Sequence, residues 1–221
     1  PVKTMRVTLR GAGVPTPTPR RFGSAYLLDV AGRSLLVDCG PATTSKLVKA
    51  DRRPHEVSML LFTHHHFDHN ADYPCFVLTR WDQDIDQTPL SVYGPPPTEA
   101  FTRTLFDAPA GAYVPDWTAR VEHPGSQRVF ANRGGTLPRR PPLIHATDID
   151  ASFVLEEDGF AVRAADTVHA QPWLESLACS MPIFLRPRKG NNDAVFPLKP
   201  WDAAERRLEE FRDAGIGMVE I

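Results

Sequence analysis

The chain has 221 residues, 42% hydrophobic and 24% charged, the size and composition of one folded globular domain, which excludes a disordered chain or a fibre. Lys and Arg number 25 against 27 Asp and Glu, a formal net charge of −2, so the basic excess of a dedicated nucleic-acid binder is missing. No apolar run reaches the roughly 18 residues of a membrane helix, and Cys39, Cys75 and Cys179 are too few and too scattered for a disulfide scaffold, so a single soluble, cytoplasmic domain over residues 1–221 with reduced, mostly buried thiols is expected.

Proline, at 22 residues, predicts rigid connections and few long helices. Val7 and Leu9 alternate within residues 5–10 as in a strand, which runs into a loop at Gly11-Ala12-Gly13-Val14-Pro15. Residues 24–30 and 33–38 are apolar runs around Ala31-Gly32, the pattern of a tight hairpin. Thr43 or Thr44 is placed to cap a short helix carrying Leu47 and Val48, and residues 57–63 form a short buried strand that delivers the chain into His64. Residues 90–93 read as another strand, stopped by Gly94-Pro95-Pro96-Pro97, after which Thr98 caps a helix bearing Phe101 and Leu105. Over residues 108–142 proline, glycine and arginine dominate without clear periodicity, which predicts a long surface excursion. Residues 152–155 and 160–165 form a second hairpin across Glu156-Glu157-Asp158-Gly159, ending just before His169. Further on, Asp202 and Glu205 make a capping box for a helix with Ala204, Leu208 and Phe211 on one face and Gly215 as its stop.

The stretch Thr63-His64-His65-His66-Phe67-Asp68-His69 holds His-x-His-x-Asp-His directly after a strand. Residues two apart in extended chain point the same way, so His64 and His66 can grip one ion, while a turn lets Asp68 and His69 face a neighbouring one. Imidazole suits zinc, iron and similar ions, and a carboxylate adds hard oxygen without the thiolates of a structural zinc site. His65, out of step with its neighbours, is expected to pack or hydrogen-bond behind the ligands. Other groups carry less. His55, His123 and His145 are isolated, and Thr16 stands where a dinucleotide-binding loop opened by Gly11 and Gly13 would need a third glycine. Arg20-Arg21, Arg139-Arg140 and Arg186 with Arg188-Lys189 are candidate phosphate contacts, although such loop pairs are most often simply solvated. Trp173 is a candidate pocket residue near His169, and Cys75, between apolar neighbours, reads as a buried thiol.

With its surroundings the motif resembles the metallo-β-lactamase superfamily, and within it the ribonuclease Z-like branch that includes arylsulfatase-type hydrolases. The resemblance is carried by the opening strand with its glycine loop, by Leu35-Leu36-Val37-Asp38-Cys39-Gly40, by the histidine motif, and by Val168-His169 after a strand. It implies an α+β fold, a four-layer αββα sandwich with the metal site at the edge where strand-end loops meet. It further implies that His64, His66 and His169 hold a first zinc and that Asp68 with His69 holds a second. Asp68 would also orient the attacking water as the catalytic residue. Asp38 would support the ligands without touching metal; a strand-end carboxylate capping a loop is the alternative reading. One or two zinc ions, with manganese or iron as substitutes, would activate water to hydrolyse phosphodiester, sulfate-ester or carboxylic-ester bonds.

The chain departs from that family in one region. Ala194-Val195-Phe196-Pro197-Leu198-Lys199-Pro200-Trp201 stands where a bridging aspartate is expected, and no last histidine follows, so the C-terminal part reads as shortened, with Asp193 and Asp202 the nearest acids. One tight and one weak or absent metal are therefore expected, and a catalytically impaired metal-binding member is the alternative to a full hydrolase. The stretch between His169 and Lys199 is too short for the arm of ribonuclease Z. A small-molecule ester or phosphodiester is then at least as good a substrate as RNA. A homodimer is a family expectation, and no membrane partner is expected.

Overall fold

A computed structural model of the protein describes residues 5–13, 15–16 and 21–165 and the backbone of residues 183–187. In chain order the elements are β1 (Met5–Gly11), β2 (Ala25–Val30), β3 (Arg33–Val37), α1 (Thr43–Lys49), β4 (Val57–Leu61), α2 (Phe67–Asn70), α3 (Tyr73–Gln83), β5 (Leu90–Gly94), α4 (Thr98–Phe106), α5 (Val114–Glu122), α6 (Pro124–Asn132), β6 (Ile144–Asp148), β7 (Val154–Glu157), β8 (Phe160–Ala164) and β9 (Ile183–Pro187). Among the described residues a six-stranded sheet runs in the order β1-β2-β3-β4-β5-β6, and a three-stranded sheet in the order β7-β8-β9. The first three strands of the large sheet are antiparallel, while β3 to β6 are parallel.

Alternation along these strands separates two cores. Leu27, Leu36, Leu60 and Val92 face one way and bury against Leu47 of α1, Phe76 and Val77 of α3, and Phe106 of α4. Leu28, Leu35, Val37, Met59 and Leu61 face the other way, against Phe160 and Val162 of β8. Strands covered on both faces read as continuous apolar runs, which is why the sequence shows Leu35-Leu36-Val37 and Met59-Leu60-Leu61 without polar alternation. Helices, large sheet and small sheet give three layers of the expected mixed sandwich. The helix expected at Asp202 and Glu205 lies outside the described residues. No helix among the described residues is long and apolar enough to cross a membrane.

Several local expectations are corrected. Neither Thr43 nor Thr44 caps α1: Ala42 holds the cap position in left-handed backbone (φ 68), and the Asp72 carboxylate accepts the Thr44 N–H at 2.6 Å. An acid from the next helical segment does the work of the missing cap. Thr98 likewise lies inside α4, after Pro97, and donates its hydroxyl to the Pro95 carbonyl at 2.7 Å. Residues 108–142 are not a structureless excursion but contain α5 and α6, whose Trp117 and Phe130 are buried. Arg139, considered as a phosphate contact, is buried instead. Its guanidinium lies 4.0 Å from the centroid of the Trp81 ring and 3.0 Å from Asp82, which also pairs with Arg120 and Arg133. Cys39 is buried as expected, whereas Cys75 is exposed on α3.

On the hairpin, Asp29 of β2 receives both arms of the Arg52 guanidinium, at 2.7 and 2.8 Å, and the Ser34 hydroxyl at 2.7 Å. Burial alone would raise its carboxyl pKa, but the hydrogen bonds from Arg52 and Ser34 and the charge of Arg52 outweigh burial and hold it below the ordinary value. A folded-state pKa below the unfolded one, about 3.9, adds stability that is complete above that pH and disappears as pH falls through the depressed value. Urea unfolding across pH should therefore show Asp29→Asn less stable than wild type at neutral pH, with the gap closing below about pH 4.

Candidate functional site

Parallel pairing brings the C-terminal ends of β3, β4, β5 and β6 side by side, with Asp38 and the histidine motif just after β3 and β4, and Gly94 and Asp148 as the last residues of β5 and β6. Asp38 leaves β3 in left-handed backbone (φ 60), which turns its carboxylate inward, and it is 1% exposed. Its Oδ1 accepts the Thr63 N–H at 2.9 Å and the Thr63 hydroxyl at 2.9 Å. Its Oδ2 accepts the Ser24 hydroxyl at 3.1 Å and lies 2.7 Å from His69 Nδ1.

This network assigns ring protons. Asp38 can only accept, so neutral His69 carries its proton on Nδ1 and leaves Nε2 with a lone pair. The Thr63 hydroxyl gives its one proton to Asp38 and so accepts from His64 Nδ1, 3.0 Å away, which leaves the lone pair of His64 on Nε2 as well. Burial works to lower the His69 pKa, but the hydrogen bond and charge of Asp38, with the charge of Asp68, hold it above the ordinary value.

The motif side chains meet in one cluster, in which the His64 and His69 rings lie 4.0 Å apart between centroids and two closer polar contacts stand out. His64 Nε2 and His66 Nδ1 are 3.1 Å apart, and Asp68 Oδ2 lies 3.6 Å from His69 Nε2. Two ligand nitrogens each about 2.0–2.1 Å from a tetrahedral zinc stand roughly 3.3–3.4 Å apart, so the first spacing fits two ligands of one ion. The other oxygen of Asp68, Oδ1, is buried without a hydrogen-bond partner, a costly state for a carboxylate oxygen that a cation would relieve. Among the described residues no group of three or more His, Cys, Asp or Glu side chains surrounds a single point. His169, the expected third ligand of the first ion, lies outside the described residues, as do Trp173, Cys179, Asp193 and Asp202.

His65 turns away from both pairs. Its Nε2 lies 2.8 Å from the Thr98 hydroxyl and 3.2 Å from the Pro95 carbonyl, and its ring sits between Phe62 and Phe101. Burial lowers its pKa, only partly offset by the Pro95 carbonyl. The isolated histidines stay away from the motif: His123 accepts the Gly125 N–H at the start of α6, and His145 is on β6.

The backbone beneath the motif is packed on backbone. The Asp68 carbonyl accepts the Ser24 N–H at 2.8 Å, the His69 carbonyl accepts the Cys39 N–H at 2.7 Å, and the Cys39 carbonyl accepts the Asp72 N–H at 3.0 Å. A Cβ on Gly40 would stand 2.0 Å from the Asp68 carbonyl oxygen, and one on Gly23 would stand 2.4 Å from it. A Cβ on Gly11, in turn, would meet the Gly23 carbonyl oxygen at 1.6 Å. The glycine loop therefore serves as a spacer under the site. Ser24 and Gly23, and Asn70 whose Nδ2 lies 3.4 Å from His65 Nδ1, escape the sequence reading because nothing near them in the chain announces the contacts they make.

A family model described as the metallo-beta-lactamase superfamily matches residues 18–178. The chain belongs to the metallo-beta-lactamase superfamily. It is 34% identical over 172 residues to a protein named ribonuclease Z from Mycobacterium sp. (strain KMS), and 29% identical over 167 residues to one of that name from Mycolicibacterium gilvum (strain PYR-GCK). Each alignment covers 75% of this chain and 53% of the relative, so the chain spans about half the length of these curated relatives. The metallo-beta-lactamase fold protein YhfI of Bacillus subtilis superposes with a TM-score of 0.55 at 19% identity, covering 82% of this chain and 57% of that one. Human tRNase Z, short form, gives 0.55 at 20% identity over 86% and 70% of the two chains. These likenesses establish the fold.

Because the Gly40 position admits no side chain, Gly40→Ala should destabilise by about 3 kcal/mol in urea unfolding, the upper range for an overpacked site. Gly32, at φ 77 with nothing within 4 Å, is the contrast. Gly32→Ala should cost only about 1 kcal/mol, from backbone strain alone.

Proposed function

We propose that this chain carries the metal centre of a metal-dependent hydrolase that cleaves phosphodiester bonds with water as the nucleophile, as a ribonuclease Z-like member of its superfamily. The observation that carries the proposal is the pairing at the strand ends, with His64 Nε2 and His66 Nδ1 at 3.1 Å and a buried Asp68 oxygen without a partner. In this reading His64 and His66, with His169, hold one ion, and Asp68 with His69 holds a second. Zinc is the expected metal, and manganese or iron the substitutes.

Zinc held by His64, His66 and His169 and by Asp68 and His69 would supply a water of lowered pKa and electrostatic stabilisation of the phosphoryl oxygens. The protein's own part is orientation. Asp38 holds His69 by its Nδ1, Thr63 holds His64 by its Nδ1, and both rings thereby present Nε2. Asp68, as the resemblance implies, would also orient the attacking water. His65, tied to Thr98 and the Pro95 carbonyl, anchors the motif to the turn after β5.

The relatives named ribonuclease Z support RNA as the substrate class. The net charge of −2 keeps a small phosphodiester or ester in the proposal. A second reading, a metal-binding member with an incomplete second site, is favoured by Lys199 and Pro200, which stand where the family resemblance expects a bridging acid.

Elemental analysis and turnover of bis(p-nitrophenyl) phosphate separate the two readings. The proposal expects one tightly held zinc per chain and a second, more weakly held zinc on loading, and hydrolysis that a chelator abolishes and zinc restores. His66→Ala should lower kcat/KM by more than about 100-fold, while Arg103→Ala, on the exposed face of α4, should leave it unchanged. At most one zinc and no turnover would establish the second reading.

A further inference from the structure

Ser24 lies immediately before β2, is 8% exposed, and is engaged through three groups with three parts of the site. Its N–H donates to the Asp68 carbonyl at 2.8 Å, its carbonyl accepts the Gly40 N–H at 2.9 Å, and its hydroxyl donates to Asp38 Oδ2 at 3.1 Å. That Asp38 oxygen is the one 2.7 Å from His69 Nδ1. The Asp68 peptide it holds is wedged between Gly23 and Gly40, with no clearance for a Cβ on either. A carboxylate oxygen shared by two donors has its plane set by both. With the hydroxyl gone, Asp38 keeps Thr63 on Oδ1 but retains only the Thr63 hydroxyl and His69 near Oδ2, and the carboxylate can swing with the ring.

We propose that Ser24 is a positioning residue for the second metal ion. Its hydroxyl sets the Asp38 carboxylate and through it the His69 ring, while its N–H sets the Asp68 peptide, so one residue aligns both ligands of that ion. The inference rests on reading Asp68 and His69 as ligands. It separates into a part any residue would supply, the two backbone bonds, and a part only a hydroxyl supplies. Replacing the side chain therefore tests the Asp38–His69 arm with the backbone contacts intact.

The test is metal binding by the full chain, without reference to turnover. Zinc affinity for each ion is measured by chelator competition, the visible absorption of the cobalt-loaded protein is recorded, and the metal-free melting temperature is followed. Ser24→Ala should weaken the second ion about 10- to 100-fold, leave the first unchanged and alter the cobalt spectrum, while lowering the metal-free melting temperature by only about 2–4 °C. Ser24→Thr should restore affinity and spectrum, and Ser24→Val, of nearly the same volume, should not. Wild-type affinity and spectrum in both Ser24→Ala and Ser24→Val would overturn the proposal and leave the ligand reading standing. If Ser24→Ala and Ser24→Val are unfolded without metal while Ser24→Thr is folded, the hydroxyl belongs to the fold and the proposal fails. A wild-type chain that takes up no second ion removes the ligand reading, and Ser24 with it.

Discussion

A carboxylate taken out of water needs donors in fixed places, and Asp38 is the point where this fold supplies them. At 1% exposure it receives the Thr63 N–H, the Thr63 hydroxyl, the Ser24 hydroxyl and the His69 imidazole. An unpaired buried anion would cost several kcal/mol, so these partners are held to it as firmly as it is to them. They come from two stretches far apart in sequence, the entry to β2 and the motif that runs from the exit of β4 into the turn of α2. The same carboxylate decides which nitrogen of His69 carries a proton and, through Thr63, which nitrogen of His64 does. Fold and site chemistry thus share one electrostatic requirement.

The motif loop is pinned on its other sides as well. Asp72, just before α3, takes the Cys39 carbonyl with its N–H and caps α1 with its carboxylate, so the strand-end loop after β3 and two helices move as one. His65 is tied to Thr98 at the head of α4 and to Pro95 after β5. Ligand-bearing side chains on a loop are precise only when the loop's own neighbours are immobile. Here the rigidity comes from parallel strands whose ends lie side by side and from helices that close on them over a buried apolar core.

The readable parts of the sequence were those whose physics is local. The hairpin at Ala31-Gly32 shows in its two apolar runs and turn residues, and the metal motif shows because four candidate ligands fall within six positions. Helix α3 was harder to read because Arg80 occupies its buried face beside Tyr73, Phe76, Val77 and Trp81. The guanidinium is tolerated there because it donates to the carbonyls of Val57, Thr88 and Pro89, a compensation that exists only after folding. Helices α5 and α6 hide behind prolines that sit in their first turns, where the missing N–H costs nothing, so a residue read as a breaker is a start signal. Strand β6 alternates only weakly, with Ile144 and Ala146 packed on the core between His145 and Thr147, because it forms the edge of the large sheet among the described residues and buries little.

The supports of the site were illegible for a different reason: they act through backbone. Gly11, Gly23 and Gly40 are stacked so closely that peptide meets peptide, and the Asp68 carbonyl is held in the gap between the last two. A side chain at such a contact adapts by changing rotamer, whereas a peptide plane has no comparable freedom. The position of Asp68 is therefore set by the strand framework and passes through no flexible side chain. The histidine rings, by contrast, are set by side-chain hydrogen bonds through Asp38 and Thr63. The two pairs of ligands consequently differ in what they are sensitive to: the Asp68 peptide to any added Cβ beneath it, and the His64 and His69 rings to loss of a hydroxyl or a carboxylate. Ser24 is where these two modes of support meet, since its backbone belongs to the first and its hydroxyl to the second.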